Sequence, residues 1–219
     1  HEGEFLKYLT SNVNLLTETN AYKSIEIPIK KTFSSKYFYI GIIRVLSRLY
    51  FTIVEKILKK QIDSSWIKQQ YSSKFTTPFL PKIKKDYDLA INFLGVSDIL
   101  NKKVNAKIKM GWIHTDYNER SVNKKMDLDT YAKLDYIVNV SNDCNNVFTN
   151  YYETFKDKSI VIENILSSEL IKGQSLEKDV SQEFKSNSIN ILSIGRFSKQ
   201  KNFDNIPEIV SKILKKDLK

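Results

Sequence analysis

Arg196 and Lys201 lie five residues apart where an apolar run gives way to a polar loop. The run at 189–194 favours a β-strand, and residues 203–216 have the apolar periodicity of a helix. The loop therefore leads into a helix N-terminus, where free backbone N–H groups and the helix dipole stabilise an anion. A guanidinium binds phosphate as a planar fork and an ammonium binds it as a point charge. The spacing predicts that Arg196 and Lys201 bind one diphosphate.

His114 is the second residue whose type and position suggest chemistry. It follows the apolar stretch 107–113 and is followed by the acidic residue Asp116. Open α/β sheets bind ligands at the carboxyl ends of their strands, and histidine changes its protonation state near neutral pH. We expect a functional role for His114. Asp116 is a weaker candidate for a substrate contact, because it is equally suited to cap the following turn.

Three further polar residues have simpler structural interpretations. Ser141 precedes a predicted helix and is expected to cap its N-terminus. Asn164 is expected in a turn, and Cys144 has no basic neighbour in the sequence, which favours an inert thiol. No nucleophile triad or motif-placed carboxylate pair is recognisable, and two histidines with one cysteine leave little for a metal site.

The loop around Arg196 resembles the motif that opens the C-terminal domain of family-four glycosyltransferases, which have the GT-B fold of two facing Rossmann-like domains. The resemblance lies in Gly-Arg-Phe-Ser at 195–198 and Lys-Asn-Phe-Asp at 201–204. The stretch 109–116, Lys-Met-Gly-Trp-Ile-His-Thr-Asp, resembles the strand and loop that carry the family's active-site histidine. The stretches 138–141 and 161–165 resemble the strand–Ser and strand–Asn segments before the interdomain linker. Three motifs in family order are more specific than one.

The resemblance implies that Gly195, Arg196 and Lys201 bind the diphosphate of a nucleotide-sugar donor, and that His114 lies beside the transferred sugar and the acceptor. It implies transfer to a glycan or lipid-linked acceptor with retention of anomeric configuration, in surface polysaccharide biosynthesis. No cofactor and no essential metal are expected. The implied location is the cytoplasm, with peripheral attachment to the inner membrane face as one setting.

Position 202 and the two chain ends differ from the family pattern. Asn202 stands where many members have Gly, but Asn tolerates the left-handed conformation, so the loop can keep its shape. The family's Gly-rich first loop is expected upstream of His1, and its Glu-x7-Glu segment beyond Lys219. The chain is therefore expected to be inactive alone.

Elements that position these residues are predicted from short apolar runs that alternate with helical stretches after residue 85. The predicted strands are 89–94, 107–113, 136–140, 159–162 and 189–194. The predicted helices are 128–134, 142–155, 168–172 and 203–216. This alternation predicts an α/β fold with a Rossmann-like, doubly wound parallel sheet. Upstream, a short helical turn is expected at 5–9, a strand at 13–16 and an irregular connection at 61–85.

The predicted domain organisation has three parts. Residues 1–166 form an N-terminal Rossmann-like, acceptor-side domain, and the polar stretch 167–187 forms a linker. Residues 188–219 begin a second, truncated Rossmann-like domain that binds the donor. One strand and one helix cannot close a core of their own.

Composition excludes intrinsic disorder and low-complexity classes, since 41% of the 219 residues are apolar and 12% are aromatic. The 35 basic and 25 acidic residues give a net charge of +10. Residues 1–85 hold 15 basic and 6 acidic side chains, whereas residues 86–166 hold 10 and 12, and residues 167–219 hold 10 and 7. The positive excess therefore belongs mainly to the first 85 residues. The single cysteine favours a reducing compartment.

Residues 36–60, which begin with Lys36 and end with Lys60, have apolar positions every three or four residues and predict a long amphipathic helix. Three interpretations stay open. The commonest is a sheet-covering helix with a solvated polar stripe that includes Arg44 and Arg48. The second is adsorption to an anionic membrane through the basic residues. The third is nucleic-acid binding, suggested by the aromatic residues and lysines of 68–87, although no recognised motif supports it and no nucleic acid is expected. A noncatalytic basic domain that binds membrane or nucleic acid is thus the alternative to a glycosyltransferase.

Overall fold

The computed structural model describes residues 4–57, 65–119, 121–184, 190–198 and 201–217. Its internal contacts divide the chain into two compact units, His1–Ile165 and Leu166–Lys219. The first unit is an α/β structure with an all-parallel sheet. Within the described residues, none of the helices is both long and apolar enough to cross a bilayer.

The first unit begins with helices that precede its sheet. After a 3-10 helix at Glu4–Tyr8, the chain forms α1 (Asn20–Glu26), α2 (Ile29–Phe33), α3 (Phe38–Ile57) and α4 (Ser65–Thr76). Helix α3 confirms the amphipathic helix over the described part of residues 36–60, whereas the strand predicted at 13–16 is wrong, because those residues form no strand.

The irregular connection predicted at 61–85 is wrong for the residues of α4, which are helical. Tertiary packing explains the difference, because Tyr71 and Phe75 of α4 lie 5.6 Å and 5.5 Å from the ring of Tyr50 on α3. Tyr71 also contacts the buried ring of Phe51. Aromatic packing of this kind favours a helix that local composition alone does not predict.

The solvated polar stripe predicted for α3 is wrong at Arg44, which is only 9% exposed. Its Nη1 donates to the carbonyl oxygens of Ser24 and Ile27 at 2.9 Å and 2.7 Å, and to the Thr32 hydroxyl at 3.3 Å. Burial of a guanidinium is tolerated when acceptors satisfy its N–H groups. The side of α3 that carries Arg44 therefore packs inward.

Four parallel strands follow in the order β1-β2-β3-β4. They are β1 (Asp86–Asn92), β2 (Asn105–Ile113), β3 (Tyr136–Asn139) and β4 (Ser159–Val161), joined by crossover helices α5 (Asp98–Lys103), α6 (Lys124–Tyr131) and α7 (Asn142–Tyr151). Right-handed crossovers between sequential neighbours place these three helices on one face of the sheet. The described strands include no reversal of strand order of the kind that defines a doubly wound sheet.

The helix-covered face of the sheet holds the main core. Ile113, Leu134 and Ile137 are almost fully buried there, together with Phe148 of α7. Gly111 leaves room for this packing, because a Cβ atom at that position would lie 2.6 Å from Leu134 Cδ1. The glycine inside β2 thus permits the segment after α6 to lie close against the sheet.

The opposite face of the sheet is apolar and largely uncovered at β1 and β2. Leu89 pairs with Ile108, and Ile91 pairs with Met110, so these side chains share one face. Leu89, Ile91 and Ile108 are 45%, 49% and 40% exposed. Parallel sheets are normally covered on both faces, so an exposed apolar face of this kind is unusual.

The second unit contains α8 (Ser168–Ser175) and α9 (Ile206–Asp217), with 3-10 helices at Ser181–Glu183 and Phe203–Asn205. The strand predicted at 189–194 is wrong for residues 190–194, which form no strand; Ile189 lies outside the described residues. A lone strand has no hydrogen-bonding neighbour, which accounts for the difference. The helix predicted at 203–216 is confirmed as a 3-10 turn followed by α9, with Pro207 in its first turn.

Candidate functional site

His114 lies at the carboxyl end of β2, as predicted, and contacts the loop that follows β1. Its Nε2 atom is 2.7 Å from the carbonyl oxygen of Phe93. The two rings pack edge to face, with centroids 4.5 Å apart and an interplanar angle of 69°. Both strand ends therefore fix the position of this imidazole, at the sheet edge where α/β proteins bind ligands.

The contact with Phe93 also fixes the tautomer of His114. A carbonyl oxygen only accepts, so Nε2 carries the hydrogen and donates it. In the neutral ring Nδ1 then holds the lone pair, and no described residue forms a hydrogen bond with Nδ1. His114 is half-buried rather than enclosed. Its Nδ1 can accept a hydrogen bond from a hydroxyl group of a bound molecule.

Aromatic rings and a shaped loop surround His114. The Phe93 ring, 58% exposed, also lies 5.6 Å from the ring of Trp112. Asn92 holds the loop, since its Nδ2 donates to the carbonyl oxygen of Gly95 and to the Ser97 hydroxyl, both at 3.0 Å. Gly95 has φ +87°, a conformation that favours glycine. The loop thus places an exposed aromatic ring next to the histidine.

Asp116 serves mainly as a cap. Its Oδ1 accepts a hydrogen bond of 2.8 Å from the backbone N–H of Asn118, at the start of the 3-10 helix Tyr117–Glu119. Its side chain is half-buried, so its second oxygen could still reach a ligand. The cap interpretation is confirmed, and the substrate contact stays a prediction.

A buried polar network below this loop was not predicted from the sequence. Asp127 is 3% exposed, and its Oδ2 accepts hydrogen bonds from the phenols of Tyr117 at 3.1 Å and Tyr152 at 2.7 Å. Its Oδ1 accepts from Gln70 Nε2 at 2.6 Å, and the Tyr117 hydroxyl also pairs with that of Tyr131. Burial is the main reason why the pKa values of Tyr117 and Tyr152 are both raised. The negative charge of Asp127 raises the pKa of Tyr152 further. This network anchors the segment that follows His114.

Gly195 allows a close approach of two segments in the second unit. A Cβ atom at Gly195 would lie 3.2 Å from Phe203 Cε2 and 3.5 Å from Lys201 Cγ. The Phe203 ring stacks on that of Phe197, with centroids 5.1 Å apart and planes 12° apart. The structure thus assigns Gly195 a role in shaping the loop, and direct diphosphate contact stays a prediction.

Asn202 confirms the expected left-handed conformation, with φ 54° and ψ 36°. Its neighbour Lys201 closes a tight turn, in which its N–H donates to the carbonyl oxygen of Ser198 at 2.9 Å. Arg196 and Lys201 are exposed, and no ion pair forms at either within the described part of the chain. Both cations are therefore available to an anionic ligand.

The predicted site residues fall into two groups. Gly195, Arg196 and Lys201 share one loop of the second unit, and His114 and Asp116 share one loop of the first. Ser141 confirms its predicted role as the N-cap of α7, accepting from the backbone N–H of Cys144 at 3.2 Å. Cys144 is a free, half-buried thiol.

Neither a metal site among the described residues nor a similarity to known proteins assigns a role to further residues. No group of three or more His, Cys, Asp or Glu side chains suited to a metal ion occurs in the described ranges. No family model, curated protein or solved structure matches the chain. The resemblance to family-four glycosyltransferases therefore depends on the sequence segments 109–116, 138–141, 161–165, 195–198 and 201–204.

Proposed function

We propose that this chain belongs to a GT-B glycosyltransferase of the family-four type, which transfers a sugar from a nucleotide-sugar donor to a glycan or lipid-linked acceptor. The conformation of one loop carries the proposal. Asn202 is left-handed, and Gly195 lies close to Phe203. Arg196 and Lys201 are exposed on this loop. An exposed Arg and Lys on one short loop suit a diphosphate, which carries two adjacent anionic groups.

The proposed chemistry is retaining transfer with the diphosphate as leaving group. Negative charge grows on the diphosphate as the glycosidic bond breaks, and Arg196 and Lys201 would stabilise that charge in the transition state. The acceptor hydroxyl attacks the face from which the diphosphate departs, and the diphosphate takes its proton. No protein nucleophile is required in this scheme.

His114 would orient a hydroxyl of the sugar or the acceptor. Its Nε2–H is held by the Phe93 carbonyl, so Nδ1 accepts from that hydroxyl. The adjacent Phe93 and Trp112 rings would pack against the apolar face of a sugar. The proposed setting is surface polysaccharide assembly in the cytoplasm.

A transfer assay tests this proposal. The full-length protein is incubated with a panel of nucleotide sugars and candidate glycan or lipid-linked acceptors, and release of nucleoside diphosphate is measured. Acceptor-dependent release from one donor supports the proposal. Absence of both release and binding for every nucleotide sugar would contradict it.

A further inference from the structure

Helix α3 exposes a row of apolar side chains, whereas its inward side is mixed and includes the buried polar residues Arg44 and Ser47. Five residues spaced by three or four positions form what we call the α3 apolar stripe: Ile42, Leu46, Leu49, Ile53 and Ile57. Their exposed fractions run from 43% at Ile42 to 72% at Ile57. At 1.5 Å per residue the stripe is about 22 Å long. A continuous exposed surface of this kind marks an interaction site.

The inward side of α3 explains this orientation. Ile40, Arg44, Ser47 and Phe51 are buried, and Arg44 forms the hydrogen bonds to backbone carbonyls described above. These contacts fix the rotation of the helix about its axis. The stripe is therefore held outward by specific polar bonds on the other side of the helix.

A cationic pocket lies on the polar border of α3. It has a volume of about 570 Å³, and its polar lining consists of Arg44, Arg48, Thr52, Lys68, Gln69 and Ser72. No carboxylate lines it among the described residues. Burial, followed by the charge of Arg48, lowers the pKa of Arg44, as expected where positive charges are not compensated. The pocket is suited to a phosphate group.

We propose that α3 docks on an anionic lipid bilayer, with the α3 apolar stripe entering the acyl boundary and the cationic pocket binding a lipid phosphate. Charge complementarity selects this partner, because residues 1–85 carry 15 basic and 6 acidic side chains. Exposed Arg48 and Lys56 lie on the same helix as the stripe. This is the arrangement of an interfacial amphipathic helix.

The same charges disfavour the other occupants of this surface. A second copy would bring the basic residues of two α3 helices together, which costs free energy. Nucleic acid would match the charge but leave the stripe in water. Helix α9 also exposes Ile209, Ile213 and Leu214, but residues 167–219 hold 10 basic and 7 acidic side chains, so the attraction there is weaker.

Vesicle cosedimentation of the whole chain tests the proposal. Wild-type protein is expected to bind vesicles of phosphatidylcholine mixed with phosphatidylglycerol, and to bind pure phosphatidylcholine at least about tenfold more weakly. The triple variant Leu46→Ser/Leu49→Ser/Ile53→Ser is expected to lose about tenfold or more of the affinity for the mixed vesicles. The matched control, Ile209→Ser/Ile213→Ser/Leu214→Ser, removes equally exposed apolar groups from α9 and is expected to bind like wild type.

Charge variants test the pocket separately. Arg48→Gln/Lys68→Gln is expected to weaken binding to mixed vesicles by about 30-fold, at about 1 kcal/mol per basic residue and about 1.4 kcal/mol per factor of ten. The control Lys133→Gln/Lys172→Gln removes the same charge from exposed positions elsewhere and is expected to have little effect. Added salt should weaken binding of the wild type.

Several outcomes would overturn the proposal. The first two are wild-type protein that binds neither kind of vesicle and a stripe variant that binds like wild type. The other two are equal losses of vesicle affinity in the stripe and α9 variants, and equal losses in the pocket variant and its charge control. Concentration-dependent dimerisation that the stripe variant abolishes would assign the stripe to a second copy instead. Thermal unfolding checks that each variant folds, and Leu49→Ser alone serves if the triple variant does not. The proposal is independent of sugar transfer, so failure of either leaves the other standing.

Discussion

The Nε2 atom of His114 lies 2.7 Å from the carbonyl oxygen of Phe93, so an imidazole at the end of β2 is held by the loop that follows β1. The bond orients the ring and reserves Nδ1 for a ligand. Phe93 packs against the ring edge to face, which limits rotation of the imidazole. A merely solvated histidine has neither restraint.

Replacement of His114 by Ala in the full-length protein is expected to lower the transfer rate by about 10²-fold, the lower range for a positioned proton-transfer or orienting group. Donor affinity should stay within about twofold, since Arg196 and Lys201 supply the diphosphate contacts. Initial rates and calorimetric titration measure the two quantities. Wild-type turnover, or equal losses in rate and donor affinity, would refute the assignment.

Replacement of Gly111 by Ala is expected to lower the free energy of unfolding by about 1–3 kcal/mol, because the new methyl group meets buried Leu134. Gly173 in α8 is a contrasting position, since a Cβ atom there meets nothing within 4 Å. Gly173→Ala should therefore stabilise its helix by about 0.5–1 kcal/mol. Urea unfolding measures both changes. Equal effects of the two substitutions would argue against the packing of Leu134 on β2.

Stability of the first unit is expected to fall at alkaline pH. Tyrosines in the unfolded chain lose their protons near pH 10, whereas burial and Asp127 keep the folded Tyr152 neutral, because its pKa is raised. The unfolded state then binds fewer protons than the folded state, so the contribution of Tyr152 to the free energy of unfolding is constant below about pH 10 and decreases above it.

Tyr152→Phe tests this pH dependence. The variant should lose about 1–2 kcal/mol at neutral pH, since Asp127 loses one donor, and should have a shallower decrease above about pH 10. Tyr151→Phe is the control at neutral pH, because Tyr151 is 37% exposed and is not one of the phenols that donate to Asp127, so its loss of stability should be smaller. Urea unfolding at a series of pH values gives the slopes. An identical slope in wild type and Tyr152→Phe would contradict the prediction.

Asn202 provides a test of the loop conformation. Its φ of 54° suits Gly and Asn but costs a β-branched residue about 1–2 kcal/mol. Asn202→Gly is expected to keep the affinity for a nucleoside diphosphate within about twofold, whereas Asn202→Val should weaken it by about tenfold. Calorimetric titration distinguishes them. Equal affinities in the two variants would mean that loop shape does not present the cations.

Local sequence patterns predicted part of this structure. Apolar periodicity located α3, and the strand-then-polar pattern located His114 at a sheet edge. The conformational tolerance of Asn gave the left-handed residue at position 202. Each of these features depends on neighbours within a few residues.

Features that depend on distant partners were not predictable. The burial of Arg44 requires carbonyl groups 20 and 17 residues away, which turn this one position of the predicted polar stripe inward. The Asp127 network joins Gln70, 57 residues upstream, to Tyr152, 25 residues downstream. No periodicity marks such partners. A strand at 190–194 likewise needs a neighbouring strand, and the described residues of the second unit include none.

Binding of a nucleoside diphosphate sugar to the full-length protein tests the central claim most directly. Calorimetric titration is expected to show affinity about 10–100-fold weaker for Arg196→Ala and for Lys201→Ala than for wild type, the loss of one charge-assisted hydrogen bond each. The control Lys212→Ala removes an exposed lysine that already pairs with Glu208 at 2.6 Å, and should bind like wild type. Unchanged affinity in the double variant Arg196→Ala/Lys201→Ala would contradict the account.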